Sequence, residues 1–397
     1  MKLFINISRG IVGLLFIFSG LVKANDPMGL SYKMQEFFEV WNIHWLDHYT
    51  LIFSILMIVF EIVAGIAVLL GWQMKLFSWL LLLLILFFTF LTGYAYLSGK
   101  IRECGCFGDC IPLTAGQSFT KDLLLLVLVL FLFANRGRIK PYLSPVANIS
   151  ILILGTVFSF SLQWFVLLHL PVVDCLPYKI GANMPDKMKI PPGALPDSTV
   201  ISFVYNKNGK EIEFTADRFP ADFDDSYKFV KRYDKLIRKG NAEPAIKDFV
   251  LITESGTDTT QAILDRRGYK LFLFVKSFDN PAPEWMKELS VIYTYVVSKN
   301  IPMYLITSDH DAVKAWLKGS GFNRNVTLLK CDATAVKTAA RVDPTLYLLK
   351  RGVILEKWSH ADFDQTILAM NALPQQERDT PAMDSLPAKP DSLQTVK

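Results

Sequence analysis

Leu76-Phe77-Ser78-Trp79-Leu80-Leu81-Leu82-Leu83-Leu84-Ile85-Leu86-Phe87-Phe88-Thr89-Phe90-Leu91-Thr92-Gly93-Tyr94-Ala95-Tyr96-Leu97 carries no charged side chain. A helix needs about 20 mostly apolar residues to cross roughly 30 Å of hydrocarbon, and this run supplies them. Four more stretches meet the same requirement, near 3–22, 50–70, 120–135 and 147–170. Beyond them the composition changes. Residues 1–172 hold 11 Lys/Arg and 8 Asp/Glu, whereas the remaining 225 hold 31 and 29. The chain of 397 residues is 51% hydrophobic and 20% charged, with a mean hydropathy of +0.30. Its apolar surplus is therefore concentrated in the first part. The expected fold class is an α-helical transmembrane bundle of five spans followed by a C-terminal α/β domain. A wholly soluble enzyme is excluded, as is a disordered or collagen-like chain. The formal net charge of +5 contains no Lys/Arg block, so nothing points to nucleic acid.

Orientation follows the cations of the short loops. Asn135-Arg136-Gly137-Arg138-Ile139-Lys140 has three cations and no anion, which predicts a cytoplasmic loop. Threading from it puts the 23–49 and 98–119 loops, and everything after Leu170, on the other side. The expectation is a multi-pass protein of a bacterial inner membrane, surrounded by lipid, with its C-terminal domain in the periplasm. Val22-Lys23-Ala24 resembles a signal-cleavage site, but Asn6, Ser8 and Arg9 interrupt the apolar region such a signal needs. The first span is read as retained.

Four of the five cysteines fall at the predicted outer face. Three lie in Cys104-Gly105-Cys106-Phe107-Gly108-Asp109-Cys110, and Cys175 lies just past the last span. Thiols outside such a membrane are readily oxidised. Glycine at 105 and 108 allows the tight turns a Cys-x-Cys ring requires. A bridge across one intervening residue is strained, and strained, exposed bridges have the more oxidising potentials. Exchange at Cys104 and Cys106, with Cys110 or Cys175 as resolving partner, is the leading reading. Two structural staples are the main alternative. A four-cysteine zinc site fits less well, because zinc spacing is normally Cys-x(2–4)-Cys, and no metal is expected.

Residues 98–130, with Ser-Gly-Lys-Ile-Arg-Glu-Cys-Gly-Cys-Phe-Gly followed by Lys121-Asp122 and a leucine-rich span, resemble the methylamine-utilisation MauE family. Arg9, Gly13, Gly20 and Lys23 of span one, with Glu61-x-x-x-Gly65 of span two, are similar to the wider DoxX superfamily. The resemblance covers about residues 1–135. It implies a small membrane helical bundle associated with redox processes. MauE is linked to disulfide formation in methylamine dehydrogenase, and the DoxX name comes from a thiosulfate:quinone oxidoreductase component. This chain departs from both by adding Cys110, Cys175, a fifth span and a large outer domain.

Ionised groups inside apolar spans are costly unless paired or wetted. At 1.5 Å of rise per residue, Arg9 lies roughly 8–9 Å from the inner end of its span and Glu61 roughly 13–14 Å from the inner end of its own. The two are expected to pair inside the bundle. Glu61 is also a candidate proton acceptor or contact for a quinone head group; a helix-register role is its plainer reading. His44, His48 and His169 are read as interfacial side chains.

In the outer part, 173–243 reads as a linker with a hairpin at 199–215 about Asn206-Lys207-Asn208-Gly209 and a helix over 221–240. Residues 244–374 follow the order β-α-β-α-β-α-β-β-α, which looks like a thioredoxin fold. Asp343-Pro344-Thr345 resembles that fold's cis-proline strand. A redox cysteine would follow the strand Lys270–Lys276, where a helix N-terminus stabilises a thiolate. The chain instead reads Ser277-Phe278-Asp279-Asn280-Pro281-Ala282-Pro283-Glu284-Trp285, without cysteine. Cys331 is expected on a core strand as an inert thiol. The groove beside Pro344 is left as a candidate client-binding site. Residues 375–397 lack apolar period and are expected to be disordered. The overall expectation is a membrane thiol–disulfide factor, linked to a quinone, acting on an envelope protein client. The alternative is a non-enzymatic assembly or scaffold protein.

Overall fold

The computed structural model describes residues 1–99, 101, 105, 107–195, 198–238, 240, 242–276, 285–322 and 325–373. Among the described residues, five helices are long and apolar enough to cross a membrane: α1 (Lys2–Ala24), α3 (Thr50–Leu70), α4 (Met74–Ser98), α5 (Ala115–Ala134) and α6 (Pro145–His169). Each leaves apolar side chains turned outward. Leu14, Leu56, Leu83, Leu124 and Leu154 are all more than half exposed, as expected where lipid is the solvent. Inside, Val12, Phe16, Ala64, Leu81, Ile85 and Val129 form part of one packed core.

The crossing of α1 and α3 is set by two glycines. A Cβ on Gly13 would lie 2.5 Å from Leu69 and 2.9 Å from the Gly65 carbonyl oxygen, and one on Gly65 would lie 2.9 Å from the Gly13 carbonyl oxygen. Two backbones in direct contact fix the register of the pair. In this antiparallel register the start of α1 faces the end of α3, and the end of α1 faces Glu61.

The chain ends and loops sort into two groups. At one end, Arg138 donates to the Met1 sulfur and the Tyr142 N–H donates to the Leu70 carbonyl. At the other, Asn25 exchanges two hydrogen bonds with the Val173 backbone, at 2.8 and 2.9 Å. This grouping follows the helix order expected from sequence. The connection between α1 and α3, read only as a loop, holds a further helix, α2 (Pro27–Val40). Asp26 caps it by accepting from the Gly29 N–H at 2.9 Å, and Pro27 stands at its first position, where the missing N–H costs nothing. Ser54 and Thr50 tie it to α3 through the Pro27 carbonyl and Ser31.

After α6 a short helix, α7 (Met184–Lys187), precedes a three-stranded sheet of β1 (Ser198–Lys207), β2 (Lys210–Thr215) and β3 (Lys228–Arg238), in the order β2-β1-β3. The hairpin expected at 199–215 is present, with Lys207 opposite Lys210. The helix expected over 221–240 is not: residues 228–238 form β3 along the free edge of β1. Apolar spacing at 229, 230 and 233 suits a helix, but the open edge of β1 and the ring of Tyr205 decide otherwise. Tyr205 packs on Phe229, Phe223 and Phe214 with centroids 5.1–5.5 Å apart.

The remaining elements are α8 (Thr260–Asp265), β4 (Tyr269–Val275), α9 (Met286–Ser298), β5 (Met303–Thr307), α10 (His310–Ser320), β6 (Val326–Lys330), α11 (Ala333–Ala339), β7 (Thr345–Lys350), β8 (Val353–Ser359) and α12 (Phe363–Asn371). The sheet runs β6-β5-β4-β7-β8. β4, β5 and β6 are parallel, and β7 and β8 are antiparallel. This is the thioredoxin-like arrangement expected from sequence. The continuous apolar run of β4 serves two cores at once. Phe272 and Phe274 join Tyr304, Ile306, Tyr347 and Leu349 on one face, and Leu271, Leu273 and Val275 join Leu289, Ile292 and Val296 on the other. Tyr178 and Met184, from the segment read as linker, are fully buried in the first of these cores, and Asn183 bridges to Val353. That part of the linker therefore belongs to the α/β domain. Residues 277–284, where a redox cysteine would stand, and the tail 375–397 lie outside the described residues.

Candidate functional site at the cysteine end

Arg9 and Glu61 do not pair. The Arg9 guanidinium donates to the Val68 and Leu69 carbonyls, at 3.1 and 2.7 Å, and lies 4.3 Å from the Tyr142 ring centroid. It thus satisfies the Leu69 carbonyl and shares the Val68 carbonyl with the Gly71 N–H at the C-terminus of α3, where the helix dipole favours a cation. Glu61 instead accepts from Lys23 Nζ at 2.7 Å, and both side chains are buried, 2% and 3% exposed. The expected pairing rested on depth from the span ends alone, whereas the glycine-set register places Glu61 opposite the far end of α1.

A second ion pair closes the same space. Lys121 Nζ lies 2.6 Å from Asp122 Oδ1, and Asp122 Oδ2 accepts from Thr92 at 3.0 Å. Lys23, Glu61, Lys121 and Asp122 line a cavity of about 20 Å³ with Ser19 and Phe107. Such a space holds about one water molecule. The enclosed space beside Glu61 is too small to hold a quinone ring. Lys121 Nζ stands 5.1 Å from the Phe107 ring centroid, and Phe107 follows Cys106 in the chain. A cation therefore lies close beneath the cysteine loop.

Cys104 and Cys106 lie outside the described residues. Their neighbours locate the loop. Gly105 has φ +65°, and a Cβ there would come 3.1 Å from the Lys33 side chain of α2. Gly108, at φ +56°, donates to the Gly105 carbonyl at 3.0 Å. Gly105 and Gly108 therefore rest on α2 and the end of α1. Cys110 is bonded to Cys175, with Cα atoms 4.8 Å apart. This bridge joins the loop to the segment after α6 and removes two thiolates from the four-cysteine zinc reading.

The α/β domain sits on this end of the bundle. Arg341, 7% exposed, reaches Asp26 Oδ2 at 2.8 Å and Asp109 Oδ2 at 2.5 Å. Burial pulls the guanidinium down, but the two carboxylates outweigh it and hold Arg341 above its ordinary value. Burial, together with Asp109, pushes the Asp26 carboxyl up against the pull of Arg341. Lys276 at the end of β4 donates to the Tyr32 hydroxyl and the Arg341 carbonyl, at 3.3 and 3.2 Å. Burial brings its ammonium down to about 8, and takes the Tyr32 phenol up to about 12. Lys357 of β8 reaches Asp174 Oδ2 at 2.7 Å. His169, expected as an interfacial side chain, lies 2.8 Å from Asp362 at the other edge of the docked domain.

The Asp343–Pro344 peptide bond is cis. Pro344 is buried, and its neighbours Asp343 and Arg341 engage the Lys276 N–H and the membrane-end carboxylates. The proline edge, read as a client groove, thus faces this chain's own cysteine end. Cys331 is buried, and burial pushes its thiol up to about 12, as expected of an inert core cysteine. Sequence reading missed Lys23, Arg341 and Lys357. Lys23 stood in the quoted motif, but nothing there marked it as the partner of Glu61. Nothing local marks Arg341 or Lys357.

Residues 1–135, about a third of the chain, match the model of the family described as methylamine utilisation protein MauE. Residues 199–239, the three-stranded sheet, match a family described as a domain of unknown function (DUF8463). No curated protein matches the chain. Among solved structures, the chain is similar to a conserved protein of unknown function from Bacteroides fragilis, at 18% identity over 32% of this chain and 95% of that one, with a TM-score of 0.25. It is similar to BsSco, a member of the Sco family of cytochrome c oxidase assembly proteins, at 13% identity over 32% and 91%, with a TM-score of 0.26. A thiol:disulfide interchange protein from Bacteroides sp. is 16% identical over 32% and 88%, with a TM-score of 0.25.

Proposed function

We propose that this membrane protein exchanges disulfides at the loop Cys104–Cys110, on the periplasmic face of a bacterial inner membrane. The observation that carries the reading is the Cys110–Cys175 bridge, formed at the end of the same loop that holds Cys104 and Cys106. The MauE match over the membrane part supports it. The three cations of the 136–140 loop support the orientation.

Each exchange step balances in electrons and protons. A client dithiol, as thiolate, attacks the Cys104–Cys106 disulfide; two electrons and two protons pass from client to loop, which becomes a dithiol while the client gains a disulfide. The loop dithiol exchanges with Cys110–Cys175 by the same two-electron, two-proton step, drawn forward by an external disulfide oxidant of higher potential that takes up the electrons and protons. No step passes through a quinone. An envelope protein with a free dithiol is the class of client this chemistry requires.

The test is a Cys104→Ser/Cys106→Ser variant in the native membrane, with client thiols trapped by maleimide. Loss of client disulfides is expected, and unchanged client disulfides would overturn the proposal. A second reading, a non-enzymatic assembly protein, is favoured by the two ion pairs that flank the bridge. Thiol trapping over a series of redox buffers separates the two. A bridge inert below about −300 mV is a staple, and a higher potential marks exchange.

A further inference from the structure

Both bridged cysteines follow an aspartate, in Asp109-Cys110 and Asp174-Cys175. Each aspartate is gripped by a buried cation of the α/β domain. Arg341 holds Asp109 at 2.5 Å from the loop before β7, and Lys357 holds Asp174 at 2.7 Å from β8. The two cations are 7% and 5% exposed. They belong to one rigid unit, because Tyr347 of β7 is the cross-strand partner of Lys357, whose ammonium stands 4.9 Å from that ring. The hairpin and the loop leading into it thus hold the residue before each sulfur.

We propose that Arg341 and Lys357 are positioning residues that couple the oxidation state of the Cys110–Cys175 bridge to the docking of the α/β domain on the cysteine end. With the bridge formed, Asp109 and Asp174 are held at the spacing the hairpin needs, and the domain is docked over the loop. Reduction by a dithiol gives two thiols and an oxidised dithiol, with two electrons and two protons transferred. The two aspartates are then free to separate, and the hairpin loses its paired anchor. Undocking uncovers the Pro344 edge and parts Arg341 and Lys276 from Asp26 and Tyr32. The coupling is reciprocal: whatever the bridge contributes to docking, docking contributes to the bridge. Of the reading above, this uses only that the bridge is made and broken in service.

The experiment uses the full chain in lipid nanodiscs, equilibrated with dithiothreitol and trapped with maleimide. Arg341→Gln and Lys357→Gln are each expected to make the bridge at least tenfold easier to reduce, a shift of about 30 mV for two electrons. The exchanged pair Asp174→Lys/Lys357→Asp is expected to recover most of that shift, which a general loosening of the fold would not allow. Hydrogen exchange on the wild-type protein supplies a readout that needs no variant. Reduction should deprotect residues 26–32 and 341–343 by tenfold or more. Bridge reduction constants within twofold of wild type in both variants, or unchanged exchange on reduction, overturn the proposal. A Cys104→Ser/Cys106→Ser variant with normal client disulfides would instead retire the exchange function and leave this coupling standing.

Discussion

Lys23 Nζ lies 2.7 Å from Glu61 Oε2, with both groups almost wholly withdrawn from solvent inside the helical bundle. A pair of this kind costs desolvation on both sides, so its net contribution is small, but removing one partner strands a charge. Glu61→Ala is expected to destabilise the protein by about 3–5 kcal/mol, read as a drop in thermal midpoint in nanodiscs. Replacing both, as Lys23→Met/Glu61→Leu, is expected to restore most of the loss. If the double variant is no more stable than Glu61→Ala, the pairing is not what the carboxylate serves. Glu61→Gln tests a proton role separately: client oxidation at the wild-type rate in a stable variant would remove it.

The Gly13–Gly65 crossing leaves no room for a side chain. Gly65→Val is expected to cost about 1–3 kcal/mol or more, the usual penalty of overpacking. Because that crossing sets the register of α1 on α3, the same variant should weaken the Lys23–Glu61 pair. Combining it with Glu61→Ala should then cost less than the sum of the two, measured as a thermal double-variant cycle.

Lys276 gives the domain seam a defined pH response. Its ammonium, at about 8 in the folded protein against 10.5 ordinarily, binds fewer protons than the unfolded chain between those two values. Stability should therefore rise with pH across that window, and the penalty for burying the charge is fully present below about pH 8. Lys276→Met is expected to flatten the stability curve between pH 8 and 10.5. A curve of unchanged slope would show that Lys276 keeps its ordinary titration.

Two cysteines should behave oppositely. Cys331, buried and weakly acidic, is expected to stay unlabelled by maleimide in the folded protein and to label fully in denaturant. Cys110→Ser opens a link spanning 65 residues, and chain-entropy reasoning assigns such a loop about 4 kcal/mol. A thermal midpoint unaffected by that substitution would show that the ion pairs alone hold the loop to α6.

Much of the architecture was legible from pattern. Five apolar runs gave the five long helices, and the apolar stretch Lys270–Lys276 marked the central strand of the larger sheet. The order of the following elements gave its topology. The 221–240 segment shows where pattern misled: its apolar spacing suits a helix, yet β1 offered an open edge and Tyr205 an aromatic cluster, and β3 formed instead. Of the site, the cysteine cluster and Glu61 were visible because their residue types are unusual where they stand. Lys23 as the partner of Glu61 was not, because span depth says nothing about which faces of two helices meet.

By itself, the amino-acid sequence determined what each segment buries: hydrocarbon-length apolar runs, a two-faced strand, a cysteine-rich turn between spans. These follow from local composition and periodicity, which a chain carries whatever its neighbours do. Only tertiary structure decided the partners. Lys23 meets Glu61 across 38 residues, Cys110 meets Cys175 across 65, and Arg341 meets Asp109 across 232. Each depends on helix register and on how one folded unit seats upon another, and Coulombic attraction has no sequence period from which such a match can be read.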